Sequence, residues 1–158
     1  MKTATIKTIE QSEIVGLYSI CFDGNDLTEY EKFVQKFLND ATLNKDFQKV
    51  FRAINRILAN GALERYFRPE GKFKDHLAAL SIDSKVLRLY CLRISDQILI
   101  VGNGGAKTTR TYEEDVELSG YVMDLQKFDE LLAQELASGN IKIEQNVITG
   151  IESATFEL

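Results

Sequence analysis

At 158 residues, with 44% hydrophobic and 27% charged residues, the chain has room for one domain with a real core, needing neither disulfides nor metal. No apolar run reaches the roughly 18 residues of a membrane span, and the N-terminal MKTATIKTIEQSE has no apolar centre of signal-peptide type. The net charge of −5 divides into −3 over residues 1–40, +7 over 41–110 and −9 over 111–158, which fits an anion-binding surface, an electrostatic clasp between middle and end, or two solvated faces.

In chain order, ATIKTIE reads as a strand or a loose arm, and IVGLYSICF as a strand closed by the turn Asp23-Gly24-Asn25-Asp26. Thr28 and Glu31 have the form of a capping box, and Tyr30, Phe33, Val34, Phe37 and Leu38 follow at helical spacing. A second helix is predicted from near Asp46, with Phe47, Val50, Phe51, Ile54, Ile57 and Leu58 on one face and Asn60-Gly61 as its stop. The two make a helical hairpin whose aromatic stripe is expected against a sheet. Residues 62–85 read as a loop up to Asp75, interleaving cations with aromatics, then one helical turn at His76–Leu80.

VLRLYCLRI and ILIV, separated by Ser95-Asp96-Gln97, predict a β-hairpin. Alternation puts Arg88 and Tyr90 on one face and Leu89, Cys91 and Arg93 on the other. Gly102-Asn103-Gly104-Gly105 reads as a flexible turn leading to Lys107 and Arg110. The acidic 111–123 stretch reads as a helix start or an irregular strand, and Asp124 as the cap of a better helix stopping at Gly139. IKIEQNVITGI reads as a final strand. The predicted class is α+β in a single domain, 1–158. Cys21 and Cys91, on apolar segments, are expected to be buried reduced thiols of a cytoplasmic protein.

Several chemistries lack a basis. GNGGAKT has Val101 and Ala106 where a Walker A loop needs glycines. With no CxxC and one histidine, His76, neither a zinc site nor a hydrolase triad is indicated, and no cofactor is called for. What remains is cationic: Lys72, Lys74, Arg88, Arg93, Lys107 and Arg110, with Tyr90, Tyr112 and His76. Such groups hold phosphates and stabilise a pentacoordinate transition state without metal when the nucleophile is an RNA 2′-hydroxyl. A lysine, tyrosine or histidine of shifted pKa would move the protons. Arg65, Tyr66, Phe67 and Arg68 suit phosphates and unstacked bases, or simply anchor the segment to the core.

The order strand IVGLYSICF, helical hairpin, basic loop GKFKDHLAAL, strand VLRLYCLRI with Arg88-Leu89-Tyr90, and strand QILIV leading to Lys107 resembles the RelE/ParE superfamily of toxin–antitoxin toxins, in its HigB-like, phage-associated branch. The resemblance covers residues 14–112, leaving 113–158 as an acidic C-terminal extension. It implies a small antiparallel sheet packed by two N-terminal helices, metal-independent cleavage of mRNA, usually on the ribosome, and an antitoxin protein as partner. By position it implies Lys72 and Lys74 in the basic loop, Arg88 as a phosphate-binding strand residue, and Lys107 or Arg110 as a later basic site. Tyr112 or His76 would transfer protons, with Arg65, Arg68, Arg93 and Arg110 on the RNA. Two departures stand out: the chain is acidic overall, and its extension either covers the basic face or forms a partner surface. The alternative is a non-catalytic protein- or nucleic-acid-binding member of the same fold, its basic centre paired to its acidic end.

Overall fold

Short apolar runs rich in β-branched residues become strands when both their faces can be covered. In the computed structural model, which describes residues 2–69, 76–107 and 115–158, the central strands of the main sheet are covered on both sides. The main sheet contains β1 (Thr3–Gln11), β2 (Gly16–Phe22), β3 (Phe67–Pro69), β4 (Leu77–Leu80), β5 (Leu87–Arg93), β6 (Ile98–Ala106) and β9 (Phe156–Glu157), in the order β3-β4-β5-β6-β2-β1-β9. Neighbours are antiparallel except β2 and β6, which run parallel with Leu17 opposite Leu99 and Ser19 opposite Val101. Helices α1 (Glu29–Phe37) and α2 (Asn44–Asn60) pack on one face, α3 (Val116–Ser138) on the other, and β7 (Lys142–Glu144) and β8 (Val147–Thr149) form a separate hairpin. This is an α+β fold with a mostly antiparallel sheet, as the sequence predicts. No helix among the described residues is long and apolar enough to cross a membrane.

The helical hairpin forms where the sequence places it. Thr28 Oγ1 accepts from the Glu31 amide at 3.2 Å, and Glu31 Oε1 accepts from the Thr28 amide at 2.9 Å, completing the capping box. Phe33, Phe37, Phe47, Val50, Ile54 and Ile57 meet Leu17, Leu87, Leu89, Cys91, Leu99 and Val101 from the sheet. Leu38 and Phe51, assigned to the same stripe, lie at its margins and are 44% and 48% exposed. On the other face Tyr18, Ile20, Tyr90, Leu92, Ile98 and Ile100 meet Leu118, Val122, Leu125, Phe128 and Leu132 of α3. The alternation of β5 therefore feeds two cores, one per face.

Five local expectations are corrected. His76–Leu80 is no helical turn: Leu77–Leu80 is a strand with all four residues buried, covered on both faces. The glycine-rich stretch is no turn but the end of β6, where Leu89 opposes Gly104 and Cys91 opposes Val101, so Gly102-Asn103 bulges against Tyr90. Glycine is needed there because a Cβ on Gly104 would sit 1.9 Å from the Arg88 carbonyl oxygen. The long helix starts at Val116, with the Asp115 side chain accepting from the Leu118 amide at 3.0 Å, while Asp124 lies inside the helix and pairs with Lys2. Residues 141–151 fold as the hairpin β7–β8, turned at Gln145 in the left-handed region. Cys91 is fully buried, but Cys21 is only partly so.

Candidate nucleic-acid interface

The strongest concentration of positive charge among the described residues lies on α2. Lys45, Lys49, Arg52 and Arg56 recur at spacings of four, three and four, which places them on one strip of the helix. This strip is opposite the apolar stripe that α2 buries, so the same helix is core on one side and cationic on the other. After α2 stops at Gly61, whose φ of 114° turns the chain back, a 3-10 turn at Glu64–Tyr66 brings Arg65 and Tyr66 alongside. The Arg65 and Arg56 guanidinium carbons lie 5.1 and 6.0 Å from the Tyr66 ring centre. The Tyr66 hydroxyl accepts from Asn60 Nδ2 at 3.3 Å and from Arg65 Nη2 at 3.4 Å. These donors, Asn60 first, lower the phenol pKa below its ordinary value.

Beside the ring, Lys49, Arg52, Ala53, Arg56, Ser81 and Asp83 line an open cleft of about 340 Å³. Lys49 is committed internally: its Nζ donates to the Asp83 carbonyl oxygen at 2.6 Å and lies 4.0 and 3.8 Å from the Asp46 and Asp83 carboxylates. Lys45, Arg52, Arg56 and Arg65 pair with no acid among the described residues. Among the described residues, the acidic end of the chain makes no ion pair with this strip. Its ion pairs run from Asp124 to Lys2, from Glu117 to Lys36 and from Asp129 to His76.

The residues singled out from the sequence are distributed differently. Lys72, Lys74, Arg110 and Tyr112 lie outside the described residues. Arg88 is buried, and its Nη1 donates to the Ser84 and Leu87 carbonyl oxygens at 3.1 and 3.0 Å. It shares the α3-covered face of β5 with Tyr90. Lys107 is near it, since the Lys107 amide donates to Val86 O at 2.7 Å and Arg88 opposes Gly105. His76 stands at the other end of β5, where its carbonyl oxygen accepts from the Arg93 amide and its Nδ1 contacts Asp129 Oδ1 at 2.8 Å. Arg88 and Lys107 thus hold neighbouring backbone positions at one end of the β5–β6 pair, and His76 lies a strand length away. Arg93 turns inward: Nε donates to the Ala62 carbonyl oxygen at 2.7 Å, and Nη2 pairs with Asp96. Arg65 joins the α2 strip, whereas Arg68, exposed on the edge strand β3, alternates with core-facing Phe67 and so faces the α3 side.

Family models, curated proteins and solved structures give no match to this chain.

A second polar cluster sits where β6 runs on past β2. Lys36 Nζ donates to the Gly104 carbonyl oxygen at 2.7 Å and to the Tyr121 hydroxyl at 3.1 Å, and lies 3.4 Å from Glu117 Oε1. Burial lowers the Lys36 pKa, though Glu117 opposes this, and burial raises that of Tyr121, which donates to Glu117 Oε1 at 2.7 Å. With its donors taken by neighbours on β6 and α3, Lys36 works as a brace between α1, the sheet and α3. Among the described residues no three His, Cys, Asp or Glu side chains cluster as a metal centre would require.

The α2 cations escaped the sequence reading because the Phe stripe on the same helix drew the assignment. Their four-three-four spacing was the available signal.

Proposed function

We propose that the chain is a non-catalytic RNA-binding protein of the cytoplasm, holding the phosphate backbone on the α2 strip. The observation that carries this is the set Lys45, Arg52, Arg56 and Arg65, one-sided and without acidic partners among the described residues. Arginine forks favour phosphate recognition, and cations that are not already paired give up no internal contact when a phosphate arrives. Binding is favoured over cleavage because Arg88 is buried on the sheet face opposite α2, away from any strand lying on that helix. The test is a filter-binding titration of a labelled RNA against wild type and Arg52→Ala/Arg56→Ala. Wild-type binding that the folded double variant loses by tenfold or more supports the reading. Equal binding by both overturns it.

A second reading, a toxin-like metal-independent mRNA endoribonuclease of a type II toxin–antitoxin or mobile-element system with an antitoxin partner, draws support from one placement. Arg88 and Lys107 hold neighbouring backbone positions at one end of the β5–β6 pair, and the element order strand, two helices, strands is the one on which the RelE-like resemblance rests. Induced expression with mRNA mapping tests it. Cleavage by wild type that folded Arg88→Ala/Lys107→Ala lacks would establish the nuclease, and intact mRNA without growth arrest would remove it.

A further inference from the structure

The cleft and the ring beside it share a guanidinium, as the phosphate and base subsites of one nucleotide would. Arg52 and Arg56 line the cleft with the exposed Ser81, and Arg56 also lies 6.0 Å from the centre of the Tyr66 ring, so one guanidinium spans both. The two parts are tied by backbone, because the Ser81 amide donates to the Tyr66 carbonyl oxygen at 2.9 Å. The ring is also held at its far end, by Asn60 and Arg65 on the hydroxyl. A held tyrosine next to guanidinium groups is what an unstacked base requires: a π surface that loses little freedom on contact, and cations to flank it. A duplex cannot present that base, since its faces are already stacked on neighbours.

We infer that this face takes an unpaired nucleotide of an RNA strand, its phosphate between Arg52, Arg56 and Ser81 and its base against Tyr66. This rests on the RNA-binding reading above and adds to it the class of substrate: single-stranded, with its bases free. The cleft is open to solvent, and the α2 strip that lines it carries Lys45 one turn before Lys49. It therefore suits a strand passing through rather than an isolated small molecule, which an enclosed pocket would favour.

The experiment is fluorescence anisotropy on the full chain at low salt with four probes. They are a labelled single-stranded 10-mer of adenosine, the same ribose-phosphate backbone without bases, a 10-base-pair RNA duplex, and unlabelled AMP as competitor. Tyr66→Leu and Arg52→Ala/Arg56→Ala are the variants. The single strand should bind wild type about tenfold or more tighter than either the base-free strand or the duplex. Tyr66→Leu should weaken the single strand by roughly five- to a hundredfold, as loss of one stacked base does, and leave the base-free strand unchanged. Equal affinity of wild type for single strand, base-free strand and duplex, abolished for all three by the arginine double variant, would overturn the base contact while leaving the phosphate reading in place. That comparison holds even if Tyr66→Leu does not fold. AMP displacing the strand at micromolar concentration would overturn the strand as occupant and assign the site to a free nucleotide. Binding of no RNA probe at all would overturn the RNA reading together with this inference.

Discussion

Arg93 shows how an arginine in a strand can be spent on the fold. It sits where the β5–β6 turn meets the connection out of α2, and its guanidinium joins the two: Nε to Ala62 O at 2.7 Å, Nη2 to Asp96, Nη1 3.8 Å from Glu64. The side chain is only 20% exposed, so losing its charge leaves a poorly solvated carbonyl unsatisfied. Arg93→Gln should cost about 1–3 kcal/mol in urea unfolding and leave RNA affinity per folded molecule unchanged. A loss of RNA affinity with stability intact would return Arg93 to the binding surface. Tyr30 makes a different prediction at the same scale. It is 7% exposed, and burial, with Cys91 and Glu10 contributing after it, pushes its phenol pKa up to about 12. Between pH 10 and 12 the unfolded chain has lost a proton that the folded chain keeps, so stability present in full below pH 10 falls as pH climbs through this window. Lys36, lowered, works in the opposite sense as pH rises toward its ordinary value. Tyr30→Phe should remove about 1.4 kcal/mol per pH unit from the alkaline slope. Wild-type and variant stability curves that stay parallel above pH 10 would contradict it.

At the scale of elements, two glycines separate what backbone approach demands from what it merely tolerates. Gly104 faces the Arg88 carbonyl across the β5–β6 bulge, and the 1.9 Å gap left for a Cβ cannot be relieved by a rotamer change because its neighbour is backbone. Gly104→Ala should destabilise by roughly 3 kcal/mol or prevent folding. Gly120, inside α3, has open space where its Cβ would be, so Gly120→Ala should raise stability by about 0.5–1 kcal/mol. Thermal denaturation of the pair checks both signs at once. The same bulge explains where the sequence was legible. Periodicity and caps gave α1, α2 and the β5–β6 hairpin, because in each the local signal and the tertiary need coincide. It failed at Gly102–Gly105, where glycine marks close strands rather than a turn, and at Leu77–Leu80, whose four apolar residues carry no period until two layers cover them. It also placed the cap of α3 at Asp124 and left 111–123 open between helix start and irregular strand, since Leu118 and Val122 extend the buried stripe only once the sheet covers them.

At the scale of the molecule, the sheet separates two faces of opposite character. α2 carries its cations outward on one side, and α3 carries Glu117, Asp124, Asp129, Glu130 and Glu135 on the other. The sequence disclosed the charge asymmetry but not that a sheet would hold its parts apart, nor that Gly61 would fold Tyr66 back onto Arg56. Because α3 supplies Leu118, Val122, Leu125, Phe128 and Leu132 to the core over Tyr18, Tyr90 and Ile100, ending the chain at residue 112 would expose that face to water. The truncated chain should lack a cooperative unfolding transition, and a folded, soluble product would show instead that α3 is a removable cover. Charge separation also decides the response to salt. If the basic centre were clasped to the acidic end, added salt would lower stability through pairs joining α2 to α3, but among the described residues the acidic-end pairs run to Lys2, Lys36, His76 and, within α3, Lys127. RNA binding, by contrast, releases counterions for each phosphate held. With three phosphates held at once, by Lys45, by Arg65 and by the Arg52–Arg56 pair, log affinity should fall with log salt at a slope of about −2, roughly twentyfold between 50 and 200 mM, while urea stability stays nearly constant. Arg52→Ala/Arg56→Ala should flatten that slope by about 0.7, the share of the one phosphate the two arginines hold between them. A salt-independent affinity, or a slope untouched by the double variant, would move the RNA off this face.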